Sequence, residues 1–189
     1  MDPAEKVSEE DQQDIADSLA GNGEGYARLV RRYQDKVAAQ MWRFTRDPVV
    51  LGQLVQDVFV EAYLSPRGFR GRAPFLHWLR RIATRVGFYY WKSQARIEER
   101  EEALKETNLN LTAAPETLNP REAADMLYQL FGKLPPADRL ILTFFYFEEC
   151  DVKEISARTG WNRALVKVRL HRARKKLKSL LEEVGMGRE

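Results

Sequence analysis

An all-α fold follows from three observations on this 189-residue chain. Apolar residues recur at three- and four-residue steps through most of its length, which is the period of a helix with one buried face. No run alternates apolar and polar in the two-residue period of a half-buried strand, and the breaks in the pattern fall at proline, glycine and asparagine clusters. With 44% hydrophobic and 31% charged side chains the chain is not a disordered tail, and its length suits one ordinary domain or two small ones; the pattern along it gives two small helical domains joined by a flexible linker.

Residues 1–24 form an acidic N-terminal extension, with eight acids against Lys6 and a net charge of −7. It acts either as a shield for basic surfaces elsewhere or as a mobile tail. Tyr26, Leu29, Val30, Tyr33, Val37, Met41 and Phe44 then mark a helix from about Gly25 to Arg46, stopped by Asp47-Pro48. Leu51, Leu54, Val55, Val58, Phe59 and Ala62 mark a second, from about Pro48 to Leu64, with proline suited to its first turn. Pro66 to Arg72 is a flexible basic loop. Pro74 opens a third helix whose buried stripe is Phe75, Leu79, Ile82, Val86 and Tyr90, running to about Ala95. Residues 25–96 therefore read as one helical bundle, and residues 97–119, ending in Asn119-Pro120, as the linker.

The second domain spans 120–184. Ala123 to Leu134 and Ala137 to Phe147 are its first two helices, the second opened by Pro135-Pro136. Asp151 with Glu154 fits a capping box for a short helix to Thr159, Gly160 is a left-handed stop, and Asn162 caps a long last helix.

The formal net charge of +3 is a near-cancellation. Residues 66–100 carry +7 and residues 160–178 carry +8, so two basic centres face the acidic start. Clustered like charge is relieved by a polyanion that releases its condensed counterions, so nucleic acid is the expected partner. A single Cys150 excludes an internal disulfide, and two histidines, His77 and His171, are too few for a Cys/His zinc site. We expect no metal, no cofactor and no catalytic residues. The acidic start lacks the features of a secretion signal, and no window approaches the ~20 apolar residues of a membrane span. A soluble, cytoplasmic protein without membrane insertion is expected.

A short helix, a turn with one glycine and a longer basic helix make a helix-turn-helix, whose second helix enters the DNA major groove. Val166, Leu170, Ala173, Leu177 and Leu181 form its packing stripe. Leu165, Val168, His171, Arg172 and Lys175 lie opposite as a reading face, and Arg163 and Lys167 reach DNA from the first turns. For His171 the alternative is a partly exposed helix residue. Arg169, Arg174, Lys176 and Lys178 are expected to hold phosphates. On the third helix Arg81, Thr84, Arg85, Phe88, Trp91 and Lys92 share about a third of the circumference. Guanidinium groups interleaved with aromatic rings suit single-stranded or distorted DNA. Alternatively Phe88 and Trp91 close the core against the acidic N-terminal segment. Trp78 and Cys150 are read as packing residues.

Taken in order, "LVQDVF" (Leu54 to Phe59), "FRGRAPFLHWLRRIATR" (Phe69 to Arg85), "LPPADRLILTFFYFEECDVKEISARTG" (Leu134 to Gly160) and "VKVRLHRARKKL" (Val166 to Leu177) resemble a bacterial sigma factor of the extracytoplasmic-function group. The resemblance covers about residues 25–95 and 120–182. It implies that residues 25–96 are a region 2-like domain that binds the clamp helices of core RNA polymerase and melts the minus-ten promoter element. It likewise implies that residues 120–184 are a region 4-like domain that reads the minus-thirty-five element and touches the polymerase flap. Gln53, Leu54, Gln56, Asp57, Phe59 and Glu61 become candidate polymerase contacts, with Leu54 and Phe59 equally readable as core. Phe69, Arg70 and Arg72 fall in the loop that takes a flipped base, His77 joins the same set, and Arg81, Thr84 and Arg85 lie at the upstream edge of the melted element. An anti-sigma factor is a further implied partner.

The sequence departs from the family's usual pattern at several places. Leu51-Gly52-Gln53 replaces an Ala-Glu-Asp run, and Arg85 and Tyr89 stand where Asn and Asp are usual. The Arg85 and Tyr89 departures imply an unusual promoter element. Leu165 and Val168 replace Thr and Ser, which allows apolar contact with a thymine methyl. The alternative function is a stand-alone helix-turn-helix regulator whose first domain senses a ligand or dimerises. An enzyme acting on nucleic acid would need a metal site, nucleophile or phosphate loop, and no such motif is present; Gly21 to Gly25 is only a turn cluster.

Overall fold

A computed structural model describes residues 8–65, 68–71, 73–104 and 120–185, the side chains of 102–104 and 120–125 excepted. Among the described residues the regular structure is helical throughout, and no helix is long and apolar enough to cross a membrane. The chain divides into two compact units, one up to Tyr90 and one from Trp91 onward.

The first unit begins with α1 (Glu9–Leu19), capped by the Ser8 hydroxyl, which accepts the Asp11 N–H at 3.1 Å. Helix α2 (Gly23–Met41) follows after a tight turn capped by Asn22. The two helices close on Gly25, where a Cβ would lie 2.6 Å from the Asp14 carbonyl oxygen. Asp11 and Asp14 are buried against α2. Arg28 donates to Asp14 at 2.6 Å and to Asp17 at 2.7 Å, Arg32 donates to Asp14 at 2.8 Å and to Asp11, and the Tyr33 hydroxyl donates to Asp11 at 2.5 Å. Burial pushes the Asp14 carboxyl up, but the hydrogen bonds and charges of Arg28 and Arg32 outweigh it and hold it below the usual carboxylate range. Burial, reinforced by the hydrogen bond to Asp11, raises the Tyr33 phenol above its ordinary value. Among the described residues the acidic start is thus not a mobile tail. Residues 9–19 are a docked helix whose carboxylates answer arginines of α2.

Helix α3 (Pro48–Leu64) takes its start from Asp47, whose carboxylate accepts the Val49 N–H at 2.8 Å, with proline in the first turn. Leu29, Tyr33, Val37, Met41 and Phe44 meet Leu54, Val58, Phe59 and Ala62 in the core. Helix α4 (Phe75–Leu104) adds Phe75, Leu79, Ile82 and Ala83, and Phe44 sits so close to Gly87 that a Cβ there would meet its ring at 2.5 Å. The expected end of this helix near Ala95 is corrected: α4 continues to Leu104, because Arg96 to Leu104 contains no glycine or proline and consists largely of good helix formers. A linker beginning at 97 is therefore corrected as well, and residues 105–119 lie outside the described residues.

The second unit holds the end of α4 from Trp91, α5 (Pro120–Gly132), α6 (Pro136–Leu142), α7 (Val152–Thr159) and α8 (Arg163–Glu183). The expected helix to Phe147 loses α geometry after Leu142 and ends in a π-helical turn, Thr143–Phe147. The wider turn keeps Phe144 inside while Tyr146 and Phe147 stay exposed. Glu149 then takes a left-handed conformation (φ 51°), and the Cys150 N–H closes the loop on the Phe144 carbonyl at 2.9 Å. The Asp151/Glu154 capping box, the left-handed Gly160 (φ 77°) and the Asn162 cap of α8 all form as the sequence predicts. Leu140, Ile141, Leu142, Ile155, Val166 and Leu170 make the core, and Cys150 is buried and in no disulfide.

Candidate nucleic-acid interface

Helix α8 buries Val166, Leu170 and Ala173 and turns Arg163, Leu165, Lys167, Val168, His171, Arg172 and Lys175 to solvent. The Asn162 side chain accepts the Leu165 N–H at 2.8 Å and fixes the first turn that would enter a groove. Leu165 is 36% and Val168 47% exposed, so two apolar side chains stand within a basic face, as a thymine methyl requires. The flanking cations are held more firmly than spacing suggested. Arg169 is half-buried with its guanidinium 4.8 Å over the Trp161 ring, and Arg174 donates to the Tyr146 hydroxyl at 3.1 Å while covering Phe145. Lys176 donates to the buried Asp138 at 2.5 Å. These partners position the long side chains along the rim of the reading face.

Helix α4 gives a narrower face. Arg81, Arg85 and His77 are exposed, and Phe88 and Lys92 are half-buried. Thr84 is corrected: it is 3% exposed, its hydroxyl donates to the Arg80 carbonyl at 2.9 Å, and the Gln40 amide donates to it at 3.2 Å. Trp91 is corrected too, being 3% exposed with the Arg139 guanidinium 4.0 Å over its ring. Both lie within the arc that helical spacing allows, but neighbours cover them. In the loop before α4, Arg70 is exposed and Arg72 lies outside the described residues. Phe69 is not a free stacking ring: it packs edge-on against Phe75 at 5.4 Å and against Trp78 at 5.7 Å, so it anchors the loop.

On α3, Gln53, Gln56 and Asp57 are exposed, whereas Leu54 and Phe59 are buried, which favours their reading as core. Glu61 is half-buried and ion-paired with Arg85 of α4. Residue spacing missed the apolar groove beside these groups, about 530 Å³ between α2 and α3, lined by Tyr26, Val30, Val55, Phe59, Val60 and Tyr63. Its signal was present, since α3 is apolar nearly all round and places Val60, Tyr63 and Leu64 outside the buried stripe. A helix of that kind is expected to be covered on more than one side.

Residues 29–97 match the family model for sigma-70 region 2, and residues 124–177 match that for sigma-70, region 4. The chain is a sigma factor of the extracytoplasmic-function group. Two region models in this order set the sigma factor apart from a stand-alone helix-turn-helix regulator. It is 27% identical over 172 residues to an ECF RNA polymerase sigma-E factor of Haemophilus influenzae, covering 86% of this chain and 90% of that one. It is 29% identical over 163 residues to the sigma-E factor of Escherichia coli K12 (82% and 85% covered) and 26% identical over 185 residues to the RNA polymerase sigma-H factor of Pseudomonas aeruginosa (93% and 96%). The fold is shared with CnrH, solved in complex with the cytosolic domain of CnrY, at a TM-score of 0.57 and 24% identity over 93% of this chain and 99% of that one. It is also shared with the sigma factor RpoE of Bartonella quintana, solved with the anti-sigma factor NepR, at 0.55 and 15% over 83% and 96%. Sigma factors are transcription initiation factors without catalytic chemistry of their own, and this sigma factor directs RNA polymerase to promoters.

Proposed function

We propose a division of labour between two domains of this sigma factor, residues 25–96 and 120–184. The first docks on the polymerase clamp helices through Gln53, Gln56, Asp57 and Glu61 of α3. It opens the minus-ten element with Arg70 of the loop and with His77, Arg81, Arg85, Phe88 and Lys92 of α4. The second reads the minus-thirty-five element with Arg163, Leu165, Lys167, Val168, His171, Arg172 and Lys175 of α8, and touches the flap. Splitting the two DNA contacts over two domains converts two weak sites into one useful affinity by effective concentration. The work is done in the bacterial cytoplasm. An anti-sigma factor is a further partner, and the apolar groove between α2 and α3 is the surface an amphipathic helix of such a partner would cover.

The observation that carries this reading is the exposure of the whole α8 reading face on a helix whose opposite stripe is core. The exposed polar row on α3 supports the polymerase contact. Transcription in vitro with core polymerase across a promoter library should show selective initiation. Asp57→Arg should lower core affinity by about tenfold or more, because it sets a cation where a carboxylate met its partner, while the fold stays intact. Normal core affinity for that variant sinks the α3 contact, and a tight footprint on duplex promoter without polymerase sinks the division of labour.

A further inference from the structure

The residues assigned to polymerase and the residues assigned to DNA meet at an ion pair. Arg85 of α4 donates from Nη2 to Oε1 of Glu61 on α3. Glu61 follows Asp57 by four residues, one helical turn farther along the polymerase-facing row, and Arg85 follows Arg81 by four along the DNA-facing row. A guanidinium binds carboxylate and phosphate through the same fork of N–H donors, so the Arg85 donor given to Glu61 is withheld from a DNA phosphate. The pair is also solvent-accessible, with side chains 51% and 33% exposed. Pairs of that kind are worth a factor of only about two to five, which a macromolecular contact readily overcomes.

We propose that the Glu61–Arg85 ion pair couples polymerase binding to promoter engagement. In the free protein Glu61 holds Arg85. When polymerase engages α3, Glu61 turns to that contact and Arg85 becomes available to the melted strand. The inference rests on the assignment of α3 and α4 given above. Coupling of this kind is reciprocal, so DNA on α4 strengthens polymerase binding by the factor that polymerase lends to DNA binding.

The test is a double-mutant cycle on the full chain, with a fluorescein-labelled random-sequence single-stranded 12-mer pool as probe at low salt, read by anisotropy with and without core polymerase. Glu61→Gln should tighten binding to the free protein by about two- to fivefold. In an Arg85→Gln background the same change should give no gain, and with core bound the gain from Glu61→Gln should vanish. Thermal melts of both single variants, whose changes lie at solvent-accessible side chains, check that the fold is kept. No gain from Glu61→Gln in the free protein overturns the coupling. An equal gain in the Arg85→Gln background overturns it as well, because Glu61 then acts only as a nearby negative charge. If Arg85→Gln leaves DNA binding by the holoenzyme unchanged, the assignment of Arg85 to DNA fails instead, and the coupling falls with it.

Discussion

Helices α4 and α8 both carry a basic face, yet they are held differently. Helix α8 buries a single narrow stripe, Val166, Leu170 and Ala173, and leaves the rest of its first three turns, half-buried Arg169 apart, to solvent. Helix α4 is covered over a wider arc: Phe75, Leu79, Ile82, Ala83, Thr84, Gly87 and Trp91 are all buried along it. The consequence is chemical. A helix held by one stripe can offer a broad, mostly unobstructed surface to a groove, whereas a helix covered over a wider arc offers a strip on which one exposed cation, Arg85, already has a carboxylate partner.

The sharpest way to break this comparison is Trp91→Ala. If Trp91 is packing, its loss should cost about 3–5 kcal/mol of stability, read by denaturant titration. A variant of unchanged stability with weakened strand opening would return Trp91 to the DNA face. Next in size is Asp14→Asn, which removes charged hydrogen bonds and should cost about 1.5–3 kcal/mol. The depressed Asp14 value contributes stability that is present above about pH 4 and lost as pH falls through it. The raised Tyr33 value works the other way, contributing below about pH 10 and failing as pH rises through it. Hydrogen exchange of α1 amides against pH should therefore show protection lost at both ends, and a flat profile would contradict the ion-pair docking of α1.

On α8 the expectation reverses. Arg172→Ala and Lys167→Ala should leave the melting temperature and core affinity unchanged while costing about 1–3 kcal/mol each in discrimination at the upstream element. Loss of core binding in either variant would undo the contrast between the two helices. The smallest effect belongs to the loop that leads into the helix-turn-helix. Glu149→Gly should stabilise the protein by about 0.5–1 kcal/mol, since glycine relieves the left-handed strain at some entropic cost. A lower melting temperature would mean that the glutamate side chain contributes more than its backbone loses.

The boundaries of α3 and the caps of α7 and α8 were legible because they are local. Asp47-Pro48, Asp151 with Glu154, Gly160 and Asn162 act within a few residues of the positions they fix. The reading face of α8 was legible for a related reason: when a helix packs by one stripe, a period of 3.6 residues assigns every other side chain to solvent. Thr84 and Trp91 were misread because each is covered by a residue distant in sequence, and the packing of Phe69 escaped because its partners lie across the junction of loop and helix. Gln40 reaches Thr84 from α2, Arg139 covers Trp91 from α6, and Phe69 finds Phe75 and Trp78. The docking of α1 escaped for the same reason, since a run of acids looks solvated until arginines one helix later are placed beside it.

By itself the sequence determined that this protein is helical, that its basic charge sits in two separate regions, and that a capped helix-turn-helix ends it. Periodicity, caps and turn residues are short-range physics and need no fold to be read. Only the tertiary structure decided which aromatic rings are core, that residues 9–19 are an ion-paired helix, and that Glu61 and Arg85 meet. Burial and charge pairing depend on which helices lie side by side, and that is a property of the packed chain.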